Sequence, residues 1–112
     1  MHGKRDVIVH DTDPFNAETE RPALAAGPLT ATDAFYVRNH GAVPVAGDWR
    51  LRVEGAVERP LDLSLATLRE ALPAYDVTAT LQCAGNRRAG LIAIRDIPGE
   101  APWGPGATGT AP

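Results

Sequence analysis

The sequence predicts an α+β fold with mixed sheets and short helices. Two stretches alternate apolar and polar residues, as half-buried strands do: Trp49–Val53 and Tyr75–Gln82. A third stretch, Leu65–Leu72, has leucines at helical spacing. Ten prolines and eleven glycines in 112 residues favour many turns and leave little room for a long helix. Strands interrupted by one short helix indicate the α+β class.

Length and charge limit the classes of function. A chain of 112 residues forms one domain or part of one. The net charge of −3 argues against nucleic acid as a partner. No apolar stretch is long enough for a membrane span, and the amino terminus lacks the apolar core of an export signal. We therefore expect a cytoplasmic protein, or a periplasmic one if a leader has been removed.

Residues 1–34 are predicted to form an irregular N-terminal arm. Val7–Val9 is a short β-branched run that suits a strand, but the remainder is rich in proline, glycine and small residues. His10, Asp11 and Asp13 lack the helical or hairpin spacing that brings metal ligands together. We predict a solvated loop there rather than a metal site.

Residues 35–41 are predicted to form a short aromatic strand that ends in polar groups and a glycine turn. Its polar end allows two interpretations. Arg38 and His40 could simply face water, or they could form an anion pocket. In such a pocket Arg38 would offer a planar fork and His40 a donor, while Asn39 would hold a neighbouring backbone. The residues alone leave both interpretations open.

Residues 48–73 are predicted to form a hairpin followed by a helix. The first strand turns at Gly55, and Leu61–Leu65 continues as the second strand. Ser64 is a favourable N-cap for the helix, and Pro73 ends it. We expect this helix to pack in the core and assign it no chemistry.

The only cysteine, Cys83, follows the predicted half-buried strand over residues 75–82. Gly85 and Asn86 supply turn chemistry directly behind it, and Arg87 and Arg88 come next. Neighbouring guanidinium groups favour a thiolate, which ligates metals or attacks electrophiles. The alternative is an inert cysteine that acts as a small buried apolar residue.

The C-terminal region has two predicted features. Leu91–Ile97 suits one more strand, which Pro98 and Gly99 would end. Residues 101–112 are rich in glycine and proline, and composition alone favours a linker or a disordered tail.

Three strings in this sequence resemble the sulfite oxidase family of molybdopterin enzymes. The most specific is Leu81-Gln82-Cys83-Ala84-Gly85-Asn86-Arg87-Arg88, which is similar to the molybdenum-binding stretch of that family. Tyr36-Val37-Arg38-Asn39-His40-Gly41, followed by Val43-Pro44, is the second. The third is the glycine-rich run from Trp103 to Ala111, in which Thr108 stands where an aliphatic residue is usual.

The resemblance implies a molybdenum-molybdopterin cofactor and a role for each matched residue. Cys83 would be the thiolate ligand of molybdenum, and the glycine-rich run would approach the active site. Arg38 would face the substrate. The residues implied to contact the pterin are Tyr36, Val37, Arg38, Asn39 and His40.

The resemblance also implies oxygen-atom transfer, with sulfite oxidised to sulfate. Its partners would be a small oxyanion substrate and an external electron acceptor such as a cytochrome. It allows a homodimer for the complete enzyme. Gln82 favours sulfite oxidases, because nitrate reductases usually carry an aliphatic residue there. The match spans residues 7–112, and residues 35–112 would be the incomplete N-terminal part of the molybdopterin-binding domain. We therefore expect this chain alone to be inactive.

Other functions stay open from the sequence. Nitrate or sulfoxide reduction occurs in relatives of the same family, although the Arg38 string is unlike that of the sulfoxide reductases. An enzyme with Cys83 as nucleophile would need His40 as base within hydrogen-bond reach. An inactive fragment is the remaining alternative.

Overall fold

The computed structural model describes residues 3–112. Short strands and short helices alternate along them: β1 (Val7–Thr12), β2 (Phe15–Thr19), α1 (Arg21–Ala25), β3 (Arg50–Val53), β4 (Leu61–Ser64), α2 (Leu65–Ala71), β5 (Ala79–Gln82), α3 (Arg88–Ile92) and β6 (Thr108–Ala111). This mixture confirms the predicted α+β class. The strands pair as the antiparallel two-stranded sheets β1–β2, β3–β4 and β5–β6. Mixed sheets, which the sequence predicts, are not seen in this range.

The described residues form two compact units. The first contains the described residues up to Val43 together with Val77–Pro112, and the second is Pro44–Asp76. The helices in the described range fall short of the length and apolar character that crossing a bilayer requires.

The β1–β2 hairpin lies within the predicted irregular arm, so that prediction is wrong for these residues. β1 extends through His10 and Asp11, where we predicted a loop. Four consecutive residues of β2 are buried: Asn16, Ala17, Glu18 and Thr19. β2 is paired on both sides, because β1 lies along one edge and Val37 forms a bridge to the other. Three of its four buried residues are polar, namely Asn16, Glu18 and Thr19, and a sequence gives no sign that such residues form a buried strand, which explains the error.

Residues 35–41 do not form the predicted strand. Their only extended pairing in the described range is a bridge between Val37 and Ala17, with N···O distances of 2.8 and 3.0 Å. Side-chain hydrogen bonds hold the rest of this segment. It therefore has irregular backbone with a fixed position along β2.

β5 ends at Gln82, directly before Cys83, as the sequence predicts. β6 pairs with it, so the glycine-rich end is not a disordered tail. All four residues of β5 are exposed, and the predicted half-buried face is wrong, since nothing in the described range covers either side. The predicted strand at Leu91–Ile97 is also wrong, because α3 occupies its beginning. A short apolar run cannot distinguish a helix from a strand by periodicity alone.

The buried apolar side chains of the first unit are few and mostly small. They belong to Ala17, Ala34, Trp103 and Ala107. Trp103 is the large member, and it is fully buried within the segment whose composition alone favours a linker. Small side chains let backbone segments approach closely, and Trp103 fills the remaining space.

The second unit has the hairpin and helix that the sequence predicts. β3 and β4 pair in a register that sets Leu51 opposite Leu63 and Val53 opposite Leu61. The Ser64 hydroxyl accepts a hydrogen bond from the Thr67 N–H at 3.1 Å, which confirms the predicted cap. The predicted core packing of α2 is wrong, because none of its residues is buried.

Candidate active site

Cys83 begins the loop that connects β5 to α3, and its thiol is half-buried. The turn is closed by hydrogen bonds from the Asn86 N–H to the Cys83 carbonyl and from the Arg88 N–H to the Gly85 carbonyl, both 2.9 Å. The Gly85 N–H donates to Cys83 Sγ at 3.4 Å. This donor suits a sulfur that carries negative charge, because hydrogen bonds to charged acceptors are the stronger ones. Arg87 takes a left-handed conformation, with φ of 67°.

The glycine-rich segment 103–107 lies along this loop. Backbone N–H groups of the loop and of the start of α3 donate to its carbonyls: Cys83 to Ala107 at 2.9 Å, Arg87 to Gly104 at 2.8 Å and Ala89 to Trp103 at 2.9 Å. In return, the Ala107 N–H donates to the Asn86 side-chain oxygen at 3.1 Å. The segment therefore fixes the backbone of the loop along its length.

Tyr36 lies near Cys83. Burial raises the pKa of the Tyr36 phenol above its ordinary value of 10.0, and the charge of the nearby Cys83 thiolate raises that pKa further. The ring of Tyr36 stacks on Phe35 with centroids 5.5 Å apart. Phe35 in turn lies against Gly109 of β6, where a Cβ atom would come within 2.6 Å of the ring. These contacts bring one end of segment 35–41 close to the Cys83 loop.

Asn39 anchors the other end of that segment to the hairpin. Its N–H donates to the buried Asn16 side chain at 2.7 Å, and its own side chain donates to the Phe15 carbonyl at 2.7 Å. The structural part of the Asn39 prediction, holding a neighbouring backbone, is confirmed. No pattern in the sequence marks Asn16 as the partner.

Arg38 and His40 are exposed and interact with each other. Arg38 Nη2 donates to His40 Nδ1 at 3.2 Å, which leaves the proton of a neutral imidazole on Nε2. In the described part of the chain, Arg38 has no ion-pair partner, whereas Arg88 pairs with Glu100 at 2.7 Å. The guanidinium of Arg88 is thus neutralised, although it adjoins the Cys83 loop.

A cleft of about 200 Å³ contains Arg38, Asn39 and His40. Arg88 also lines it, so the structure brings together two of the arginines that the sequence lists separately. Three carboxylates share the cleft: Asp11, Asp13 and Glu100. Cys83 and Tyr36 are not in its lining. The predicted site residues therefore form two neighbouring groups along one segment rather than a single pocket.

The structure does not support Cys83 and His40 as a nucleophile–base pair. No hydrogen bond joins them, and His40 Nδ1 is occupied by Arg38. The described residues also contain no cluster of three or more histidine, cysteine or acidic side chains that could hold a metal ion. A single soft sulfur donor at the end of a strand remains. That donor suits a metal whose other ligands come from a cofactor.

Comparison with known proteins identifies the family. Residues 40–112 match the model of the oxidoreductase molybdopterin binding domain. The chain is 48% identical to the sulfite oxidase of Gallus gallus over 105 residues, which is 92% of this chain and 23% of that protein. It is 41% identical to the sulfite oxidase of Arabidopsis thaliana over 106 residues, 92% of this chain and 26% of that protein.

Nitrate reductases match at similar identity. The nitrate reductase [NADPH] of Aspergillus niger is 44% identical over 107 residues, 88% of this chain and 12% of that protein. The chain therefore spans about a quarter of the sulfite oxidases and about an eighth of the nitrate reductase. It belongs to the family of molybdopterin-binding oxidoreductase domains, whose members use a molybdenum cofactor.

Proposed function

We propose that this chain is part of the catalytic domain of an oxygen-atom-transfer enzyme that oxidises sulfite to sulfate. The observation that carries the proposal is the setting of Cys83. The only cysteine lies at the end of β5, half-buried, in a loop that is fixed by backbone hydrogen bonds and directs one N–H at its sulfur. A rigid thiolate of this kind suits a permanent metal ligand.

Cys83 would hold the molybdenum of the cofactor through its thiolate, and residues 36–40 would contact the pterin. When bound, the cofactor supplies a metal centre that exchanges an oxygen atom and two electrons. The Gly85 N–H supports negative charge on Sγ. The Tyr36 phenol, whose pKa is raised by burial and by the charge of Cys83, is neutral and adds no second negative charge beside the sulfur.

Arg38 would attract and orient the sulfite anion. Its guanidinium is exposed and has no carboxylate partner in the described range, so it is available to an oxyanion. His40 offers its Nε2–H as a second donor, because Nδ1 already accepts from Arg38. Overall, sulfite and water give sulfate, two protons and two electrons. The electrons pass to an external acceptor such as a cytochrome.

We propose sulfite rather than nitrate as the substrate because of Gln82, the residue before the proposed metal ligand Cys83. Gln82 precedes Cys83 and matches the sulfite oxidase pattern, whereas the identities to the two classes of relatives are similar. We further propose that the complete domain has the sulfite oxidase molybdopterin-binding fold. The chain would be an incomplete portion of it and inactive alone.

The test uses the complete catalytic domain, produced in a host that makes the molybdenum cofactor. We expect about one molybdenum per polypeptide, sulfite-dependent reduction of cytochrome c, and no nitrate-dependent oxidation of a reduced viologen dye. Turnover of nitrate without turnover of sulfite would refute the substrate. Absence of bound molybdenum from a folded domain would refute the role of Cys83.

A further inference from the structure

A cluster of three polar side chains is buried beside the hairpin. The side chains of His10 and Glu18 are 12% and 5% exposed, and Trp103 is fully buried. The imidazole meets the indole edge-on, with centroids 4.9 Å apart. His10 Nε2 lies 3.4 Å from Glu18 Oε2, which is within ion-pair distance, but the atoms are not aligned for a hydrogen bond.

The cluster contains all the buried side-chain nitrogen and oxygen atoms that lack a hydrogen bond within residues 3–112. These atoms are His10 Nε2, Glu18 Oε2 and Trp103 Nε1. Buried polar groups are normally hydrogen-bonded, so such a cluster opposes folding unless another contribution offsets it. A functional requirement at this position would explain why the chain keeps it.

A β-bulge sets His10 apart from its neighbours. In the hairpin, Val9 pairs with Ala17 and Asp11 pairs with Asn16, so that His10 is the extra residue. Bulges re-aim side chains relative to a regular strand and are frequent beside active sites. Here the bulge residue contacts both Trp103 and Glu18.

Segment 103–107 rests directly on Glu18 and Thr19. A Cβ atom on Gly104 would overlap the Glu18 carboxylate, and a Cβ atom on Gly106 would overlap the Thr19 carbonyl oxygen. The Thr19 N–H donates to the Gly106 carbonyl at 2.9 Å. The Glu18 carboxylate therefore fills the space beneath Gly104, and its size sets how closely the segment approaches β2.

The same segment, which contacts Glu18 and Thr19, also binds the Cys83 loop and the start of α3 through four hydrogen bonds. They involve the N–H groups of Cys83, Arg87 and Ala89 and the side chain of Asn86. A displacement of Gly104 would shift its carbonyl, which Arg87 binds, and the adjacent carbonyl of Trp103, which Ala89 binds.

We propose that Glu18 is a positioning residue for Cys83, acting through segment 103–107, and that its carboxylate lies between this segment and His10. Glu18 touches neither Cys83 nor the cleft of Arg38. The significance for catalysis rests on the proposed function, in which Cys83 is the metal ligand. The contacts themselves, and the test below, do not need the cofactor.

The single cysteine gives a direct readout on the full chain. Alkylation by iodoacetamide at fixed pH, below the unfolding temperature, reports only on Cys83. We expect Glu18→Ala and Gly104→Ala each to raise the rate at least about threefold, because the loop loses its support and opens more often. Glu18→Gln keeps the shape of the side chain and should stay within about twofold of the wild type.

The double variant makes the test specific. Glu18→Ala removes the carboxylate that a Cβ atom at residue 104 would overlap. In the double variant, the methyl group of Gly104→Ala therefore occupies the space that the carboxylate has left. The double variant should therefore alkylate more slowly than either single variant, a non-additive result that requires contact between the two sites. In Glu18→Gln the methyl group of Gly104→Ala should still clash and raise the rate, which provides a second arm if Glu18→Ala does not fold.

Two matched controls exclude general effects of substitution. Glu70→Ala removes an exposed carboxylate from the second unit, and Gly90→Ala adds a Cβ atom with no heavy atom within 4 Å. Both should alkylate at the wild-type rate. Circular dichroism establishes that each variant is folded.

Wild-type alkylation rates in folded Glu18→Ala and Gly104→Ala would overturn the proposal. So would a double variant whose rate is the product of the two single effects. Either result would leave the proposed function intact, because molybdenum content and sulfite turnover are measured on a different preparation.

Discussion

The loop that carries Cys83 and the hairpin and helix of the second unit differ in both backbone regularity and burial. The loop has irregular backbone, but its N–H groups find carbonyl partners on segment 103–107, and Trp103 and Ala107 are buried beside it. The second unit has regular strands and a capped helix, yet no residue of α2 is buried. Regular secondary structure and burial are thus separate properties in this chain.

The difference follows from side-chain size. At Gly104 and Gly106 the backbone approaches β2 so closely that a Cβ atom has no room. In the second unit, Leu51 and Leu61 remain 36% and 48% exposed although their strands are paired. No residue of α2 is buried, so the β3–β4 hairpin lacks the packed helix that stabilises a two-stranded sheet. The candidate site therefore lies in the part of the chain with the tighter packing.

Cys83→Ser should have the largest effect on function. In the complete domain we expect the fold to persist and sulfite turnover to be abolished, because a hydroxyl is a hard, poor substitute for a thiolate ligand. Sulfite-dependent reduction of cytochrome c measures the loss, and Thr80→Ser on exposed β5 is the matched control. A serine variant with near-parental turnover would contradict the role of Cys83.

Gly106→Ala should have the largest effect on stability. The new methyl group meets the Thr19 carbonyl, which is backbone and cannot move away, so we expect a loss of about 3 kcal/mol in the free energy of unfolding. Gly47→Ala in the second unit has no heavy atom within 4 Å of its Cβ and should change little. Urea unfolding compares the two variants. If Gly106→Ala and Gly47→Ala have the same free energy of unfolding, the inferred difference in packing between the two units is contradicted.

Arg38→Gln should lower kcat/KM for sulfite in the complete domain. Loss of a charge-assisted contact costs about 2–3 kcal/mol, or roughly thirty- to a hundredfold. Arg38→Lys should recover only part of this, since an ammonium lacks the planar fork. Arg52→Gln, an exposed arginine of β3, is the control. An unchanged kcat/KM in Arg38→Gln would exclude contact with the substrate.

Ser64→Ala should affect the second unit modestly. The variant loses the acceptor for the Thr67 N–H, which costs about 1 kcal/mol of helix stability. Ser64→Asp should retain the cap. The readout is the helical signal in circular dichroism, together with hydrogen exchange at Thr67. If exchange at the Cys83 N–H accelerates to the same extent, the two regions are not independent.

Tyr36→Phe should have the smallest effect, confined to alkaline pH. Because the folded pKa is raised above 10.0, the stability linked to the protonated phenol is fully present below that pH and is lost as the pH rises through the folded pKa. The Phe variant should therefore lose less stability than the wild type as the pH rises above about 10. Tyr75→Phe, with a residue 82% exposed, is the control and should follow the wild type.

Local signals in the sequence predict local features of the structure well. Ser64 caps α2, and Cys83 directly follows a strand, because caps and turns depend on neighbouring residues. The irregular arm and the strand at Leu91–Ile97 were wrong. β2 pairs locally with β1, but it is also bound by Val37 and Gly106, and Ala89 of α3 donates to the Trp103 carbonyl, so both elements depend partly on distant segments. Long-range contacts leave no periodic mark in a sequence.

In the candidate site, too, the sequence predicts individual residues but not the contacts between distant segments. The motifs identify Cys83 and Arg38, but they do not reveal that Arg88 shares a cleft with Arg38 or that Glu100 neutralises it. Nor do they mark His10 and Glu18, which the bulge and the approach of Gly104 bring under the loop. Those relations depend on where separate segments meet.

The pairing of the Cys83 loop with segment 103–107 also sets an order for biosynthesis. The carbonyl groups that fix the loop belong to residues that the ribosome adds after Cys83 itself. Until segment 103–107 has emerged, the N–H groups of Cys83, Arg87 and Ala89 lack their carbonyl partners. Long-range contacts of this kind form after local ones. The proposed metal ligand therefore gains its geometry only after the glycine-rich segment has been translated, and productive insertion of a cofactor must follow that step.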